Sequence, residues 1–288
     1  MKKSRVIAYV VIVILMFLFN FYYRPIQGNP KVTEDYKKSN SYINELYASN
    51  EHFKEKLLAP EYYYFYDEML KGLINSEIEI SIPCLGDSCL NIFSHALEAI
   101  ILDHPELITF YVGGTYRYKY SSVIYKNHMS LSPFRYHMGV KRIARELENI
   151  RRDTKGMNDK EKIIYVYNYV AAKDYDHYFT YNGSNQSAYS FFTKGSTVCA
   201  GFAKASQIIF QNIGINSYLV HNSEHMWNYV QYEGKWYVFD ATVGACYIKD
   251  TTHYYEGLGN TTVDETIGYY SDAYPPIETE KLKDLFDL

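Results

Sequence analysis

The sequence predicts an α+β domain that follows an N-terminal membrane-spanning helix. Three observations carry this. An unbroken apolar run occupies Val6 to Phe19, and segments with helical periodicity recur from Pro60 to Gln211. Short alternating stretches lie among them, the clearest being a hairpin pattern over residues 225–242.

Lys2, Lys3 and Arg5 precede the apolar run, and Asn20 interrupts it before Phe21, Tyr22, Tyr23 and Arg24. Val6 to Tyr23 is 18 residues, close to the ~20 that a helix needs to cross the hydrocarbon core. Positive charge ahead of the run predicts a cytoplasmic N-terminus, with Tyr22 and Tyr23 at the interface. No small-x-small cleavage site follows, so an uncleaved signal anchor is expected; cleavage would make the protein secreted. The expectation is a single-pass protein of the cell membrane whose remaining chain is extracytoplasmic. The cytoplasmic tip and anchor take residues 1–25. A polar, Lys/Asn/Ser-rich stalk or loosely packed helix takes 26–58, an N-terminal α+β subregion 59–157, and a second core 158–288.

Pro60 suits the first turn of a helix over Glu61 to Ile74, with Tyr66, Met69, Leu70 and Leu73 on one face. Glu77 to Ile82 alternates as a strand. Asn91 to Leu102 sets Ile92, Phe93, Ala96, Leu97, Ile100 and Ile101 at helical spacing, ending before His104-Pro105. Tyr116, Tyr118 and Tyr120 alternate with Arg117 and Lys119 as a strand with one aromatic face. Arg135 to Arg152 reads as a basic helix. Asn158 and Glu161 form a capping-box pattern for a helix burying Ile163, Ile164, Val166, Tyr167 and Val170.

Composition narrows the function. Of 288 residues, 29 are basic and 33 acidic, for a net charge of −4, so no nucleic-acid partner is expected. Hydrophobic residues at 47% and charged residues at 22% exclude a disordered chain. The 33 Tyr residues suit sheet faces and polar ligand surfaces alike. Of the four cysteines, Cys84 and Cys89 enclose a short turn where an extracytoplasmic chain could form a local disulfide.

The chemistry lies between Gln186 and Gly244. Thr197 is a good N-cap, which puts Cys199 in the first turn of a helix running to Gln211. There the helix dipole favours thiolate over thiol, and the cysteine's own backbone N–H can face a developing oxyanion. Downstream, Glu233-Gly234 forms a two-residue turn that pairs Tyr232 with Lys235. Continued, that register sets Trp227 opposite Asp240 and His225 opposite Thr242. His225 and Asp240 then share a sheet face as diagonal neighbours, with Cβ atoms roughly 5–8 Å apart. Cys199 is the candidate nucleophile, His225 the general base and acid, and Asp240 the group that orients the imidazole. Gln186, thirteen residues before Cys199, is a weaker candidate oxyanion donor. Trp227 either walls the cleft or packs in the core. His221 and His225 are four apart, but on a strand and turn this is no zinc spacing. There is no HExxH and no Gly-rich phosphate loop. Cys246 is expected to be an inert buried thiol, with a redox partner for Cys199 as the alternative.

Val198-Cys199-Ala200-Gly201-Phe202-Ala203, Gly214-Ile215, His225-Met226-Trp227-Asn228, Gly234-Lys235-Trp236-Tyr237 and Asp240-Ala241-Thr242 together resemble the bacterial transglutaminase-like superfamily. The resemblance spans roughly residues 159–244. Ser187-Ala188-Tyr189 and Asp103-His104-Pro105-Glu106-Leu107 are similar to segments of its extracytoplasmic members. Met226 and Val243 depart from the commoner Ala and Trp, which bears on the substrate cleft. The resemblance implies a papain-like α+β core over 158–288 in which a helix carrying the cysteine packs on an antiparallel sheet. It also implies acyl transfer through a thioester, on a protein or peptide substrate, by protease or crosslinking chemistry. Neither metal nor organic cofactor is called for. The rival expectation is a non-catalytic cell-surface module that binds protein or glycan through its tyrosine-rich faces.

Overall fold

The computed structural model describes residues 51–75, 77–108, 111–129, 133–177, 185–246, 253–259 and 270–288. The expected anchor and most of the expected stalk lie outside these residues. Among the described residues, no helix is long and apolar enough to cross a membrane.

Two apolar clusters organise the chain, and mixed helix and antiparallel sheet make it an α+β fold. The first cluster is N-terminal. Helix α1 (Pro60–Ile74) opens on Pro60 and buries Phe65, Tyr66, Met69 and Leu73. Strand β1 (Glu79–Pro83) shows the period-2 burial its alternation requires. Cys84 and Cys89 form a disulfide across the turn that leads into α2 (Cys89–Asp103). After the short helix α3 (Pro105–Ile108), β2 (Tyr111–Lys119) and β3 (Ser122–Met129) complete a sheet ordered β1-β3-β2, antiparallel throughout. Tyr120 and Ser121 join β2 to β3 with φ of 52° and 57°, so the expected strand stops one tyrosine early. Two successive positive-φ residues make the tight turn whose twist suits a hairpin.

Asp103 ties this cluster together. Its carboxylate, 2% exposed, accepts hydrogen bonds from the backbone N–H groups of Phe53 and Lys54 and from the Tyr66 hydroxyl, each at 3.0 Å. Residues 51–58, the described end of the segment read as stalk, therefore pack on the domain, with Phe53 and Leu57 buried.

The second cluster is built around one helix. Helices α4 (Pro133–Asp153) and α5 (Asp159–Ala171) precede it, and Asn158 and Glu161 cap α5 reciprocally. Strand β4 (Asp174–Tyr175) pairs in parallel with β5 (Ser196–Thr197), and α6 (Ala188–Thr193) lies between them in sequence. Helix α7 (Cys199–Asn212) follows at once and is buried from Gly201 to Phe210. It packs against the antiparallel sheet β6 (Ser217–His221), β7 (Met226–Tyr232) and β8 (Lys235–Phe239). Helix α8 (Ala241–Cys246) follows β8, and α9 (Leu282–Leu285) closes the chain. Ala203 of α7 and Leu219 of β6 belong to the N-terminal cluster, so the two clusters meet on this helix and sheet.

Two local expectations need correction. Thr197 does not cap α7; Val198 holds the N-cap position without a side-chain bond. The Thr197 hydroxyl is engaged elsewhere, donating to the Asn185 carbonyl at 2.6 Å and lying 2.7 Å from the Ser190 hydroxyl. The hairpin ladder also ends sooner than its register implies. Tyr232 pairs with Lys235 across Glu233 (φ 50°) and Gly234 (φ 80°), as expected, but the last pair is Asn228 with Phe239. His225 therefore precedes β7, and Thr242 lies within α8, so the two do not face each other across a ladder.

Candidate active site

Cys199 is the first residue of α7, half-buried and not in a disulfide. The first N–H groups of a helix have no carbonyl behind them, so this end is electropositive. Access combined with that field is what distinguishes a reactive thiol from a core cysteine.

His225 is set by its own turn. The Asn222 side-chain oxygen accepts from the backbone N–H groups of Glu224 and His225, at 2.9 and 2.7 Å, while Asn222 N–H donates to the His225 carbonyl. This Asx turn delivers the imidazole at the start of β7. Further along β7, Asn228 donates to the Ala203 carbonyl at 3.1 Å, fixing the histidine strand against the cysteine helix. The His225 and Trp227 rings are nearly parallel, 17° apart with centroids at 5.7 Å. Trp227 is buried, so it is both core and a wall behind the imidazole, favourable to an imidazolium.

Asp240 stands at the junction of β8 and α8, 1% exposed. One carboxylate oxygen, Oδ1, accepts from the Thr242 N–H at 3.0 Å, which caps α8. The other, Oδ2, accepts from His225 Nε2 at 2.7 Å. With Nε2 committed, Nδ1 is the ring nitrogen left for the thiol. Burial alone would lower the imidazole pKa; the bond to Asp240 and the nearby Cys199 side chain outweigh it and push it up to about 10. All three candidates thus converge, with His225 between thiol and carboxylate. This is the arrangement that activates a nucleophile and later returns its proton.

Residues 145–241 match the transglutaminase-like superfamily. That stretch is similar to a transglutaminase-like core. The matched residues take in Cys199, His225 and Asp240. A crystal structure of a TGase is similar to the chain at 16% identity, with a TM-score of 0.32, over 69% of this chain and 56% of that one. No curated protein matches.

Other candidates find different places. Gln186 comes beside α7 through its backbone, where its carbonyl accepts from Lys204 Nζ at 3.0 Å. His221 is drawn away from His225 into a 3.4 Å pair with Glu98 of α2. Cys246, expected to be buried, is instead an exposed free thiol at the end of α8, where the short helix runs out to the surface.

Lys204 and Tyr175 were not legible as site residues. Lys204 is buried on α7; desolvation lowers its pKa to about 8 against the opposing attraction of Cys199. Its one sequence signal is a lone charge inside the apolar run Phe202 to Ala205. Tyr175 comes from β4, more than twenty residues before Cys199, with nothing local to mark it.

Proposed function

We propose that the protein is a cysteine acyl-transfer enzyme acting on peptide or glutamine-type amides through a thioester. The observation that carries this is the single imidazole hydrogen-bonded to Asp240, with a half-buried cysteine outside any disulfide near enough to the same ring to raise its pKa. In the forward step the Cys199 thiolate attacks the amide carbonyl carbon, forming the C–S bond and moving the carbonyl π pair onto oxygen. Collapse breaks the C–N bond, and the His225 imidazolium gives its proton to the departing amine. Water or a second amine then loses a proton to His225 as it attacks the thioester, and the thiolate leaves. Asp240 keeps the ring oriented and balances the imidazolium charge at each stage. A purely binding surface gives no reason for these three groups to meet.

The proposed setting is the outer face of a cell membrane, with a surface protein or peptide as substrate. Lys2, Lys3 and Arg5 ahead of the apolar run support that orientation. The Cys84–Cys89 disulfide supports an oxidising compartment.

Labelling with iodoacetamide and mass spectrometry of a trapped acyl-enzyme test the chemistry. Label and acyl adduct are expected on Cys199 and lost in Cys199→Ala. Labelling and turnover that persist undiminished in that variant would sink the proposal.

A further inference from the structure

Two loop tips at one end of the N-terminal sheet display large side chains to solvent. Leu85 and Tyr120 are each 83% exposed, and Leu90, Tyr116 and Tyr118 beside them are exposed as well. They form one patch. Cys84 N–H donates to the Ser121 carbonyl at 3.0 Å, and the Tyr118 hydroxyl donates to the Cys84 carbonyl at 3.2 Å. The loop that carries Leu85, closed by the Cys84–Cys89 bridge, thus lies beside the β2–β3 turn. Leu90 follows on α2, where its carbonyl accepts from the Ser94 hydroxyl, itself 3.3 Å from the Tyr116 hydroxyl. Tyr120 holds a φ of 52°, a conformation that suits glycine or asparagine and strains a bulky residue. Backbone preference is given up there for an aromatic ring at the apex of the turn.

Basic charge accompanies the rings. From Tyr111 to Met129 the chain has Arg117, Lys119 and Lys126 and no acidic residue, in a protein of net charge −4. Lys119 Nζ lies 4.3 Å from the centroid of the Tyr120 ring. Asp87 is the one carboxylate on the neighbouring loop. Tyrosine favours the layer between lipid headgroups and acyl chains, and lysine and arginine beside it favour anionic lipid. The chain is also long enough for the contact. Phe53 and Lys54 are fastened to Asp103, at the opposite end of α2 from Leu90. That length of helix separates the two ends by about 20 Å. The 26 residues 25–50, between the apolar run and this attachment, span up to about 90 Å when extended.

We infer that the Leu85 and Tyr120 tips dock on the anionic lipid surface of the protein's own membrane. The inference rests on the membrane setting proposed above and gives the domain a second contact with that membrane, separate from the apolar run. Leu85 and Tyr120 enter the interfacial layer, while Arg117 and Lys119 meet the lipid phosphates.

The test places the full chain carrying Tyr120→Trp in vesicles of phosphatidylcholine and phosphatidylglycerol whose acyl chains are brominated near the headgroup. Wild type in the same vesicles gives the background of Trp227 and Trp236. The emission added at position 120 is expected to shift to the blue and to be quenched by bromine. Quenching should fall when phosphatidylcholine replaces the anionic lipid, or when salt is raised to about 1 M. Arg117→Glu with Lys119→Glu, added to the same variant, should also release it. Leu85→Trp reads the second tip independently. Emission that bromine leaves unquenched at either position would overturn the inference, as would quenching indifferent to lipid charge, salt and the charge reversal. Emission that lipid leaves unchanged and a soluble chito-oligosaccharide shifts would assign the tips to a glycan and overturn it too. Chain that washes from the vesicles in alkaline carbonate overturns the anchored setting alone; quenching of that washed chain by fresh vesicles then decides the tips.

Discussion

His225 Nε2 and Asp240 Oδ2 lie 2.7 Å apart at the end of a hairpin that has already stopped pairing. The contact survives because each residue is held by its own local device. Asn222 binds the backbone N–H of His225, and the Thr242 N–H and Gly257 carbonyl hold Asp240 from its two sides. Orientation of the imidazole therefore depends on these short-range caps more than on the sheet ladder.

Asp240→Asn should leave the thiol in place and misorient the base. The p-nitrophenyl acetate burst is expected to fall roughly 10²- to 10⁴-fold, the range for a lost orienting carboxylate. The His225 pKa should drop towards ~6.5, read by NMR titration of the ring. A variant with the wild-type burst and titration would remove Asp240 from the mechanism.

The raised His225 pKa makes stability pH-dependent. Its folded value of about 10 lies above the unfolded ~6.5, so the stabilisation is full below ~6.5 and is lost as pH rises through 10. Lys204 acts in the opposite sense. Its folded pKa of about 8 lies below the unfolded ~10.4, so it adds stability as pH rises between the two. Comparing Tm against pH for wild type and His225→Gln isolates the histidine. The wild-type advantage should shrink from pH ~7 to ~10, and parallel curves would refute the linkage.

Gly257 is where the chain passes against the back of Asp240. A Cβ there would sit 2.0 Å from the Asp240 carbonyl oxygen, a backbone atom with no rotamer to change. Gly257→Ala is expected to cost about 1–3 kcal/mol in urea unfolding and to slow acylation as Asp240 is displaced. Unchanged stability together with an unchanged burst would show that this approach is not tight.

The Cys84–Cys89 bridge closes a loop of sequence separation 5. Chain entropy for so short a loop gives about 2 kcal/mol. Cys84→Ser with Cys89→Ser should lower stability by that amount while Cys199 alkylation continues, because the bridge belongs to the N-terminal cluster. Loss of Cys199 reactivity in the folded double variant would contradict that separation.

Much of the site is written locally. The Glu233-Gly234 turn fixes the hairpin register, Asn158 and Glu161 cap their helix, and Cys199 follows a polar break that opens α7. Such features depend on backbone preferences and hydrogen bonds over a few residues, so residue order suffices to state them. His225 and Asp240 flank one short hairpin, so their nearness to each other was legible. Where the hairpin pairing ends was not, because Gly257, beyond the end of α8, takes the Asp240 N–H. Thr197 looked like a cap until Asn185 and Ser190 claimed its hydroxyl. Tyr175 against Cys199, Lys204 beneath Gln186, and Asp103 gathering Phe53, Lys54 and Tyr66 join residues far apart in the chain. No periodicity records such meetings. They arise when buried polar groups must find partners in whatever the packed core brings near. The amino-acid order thus determined the elements and marked three candidate site residues; only the packed fold decided what surrounds them.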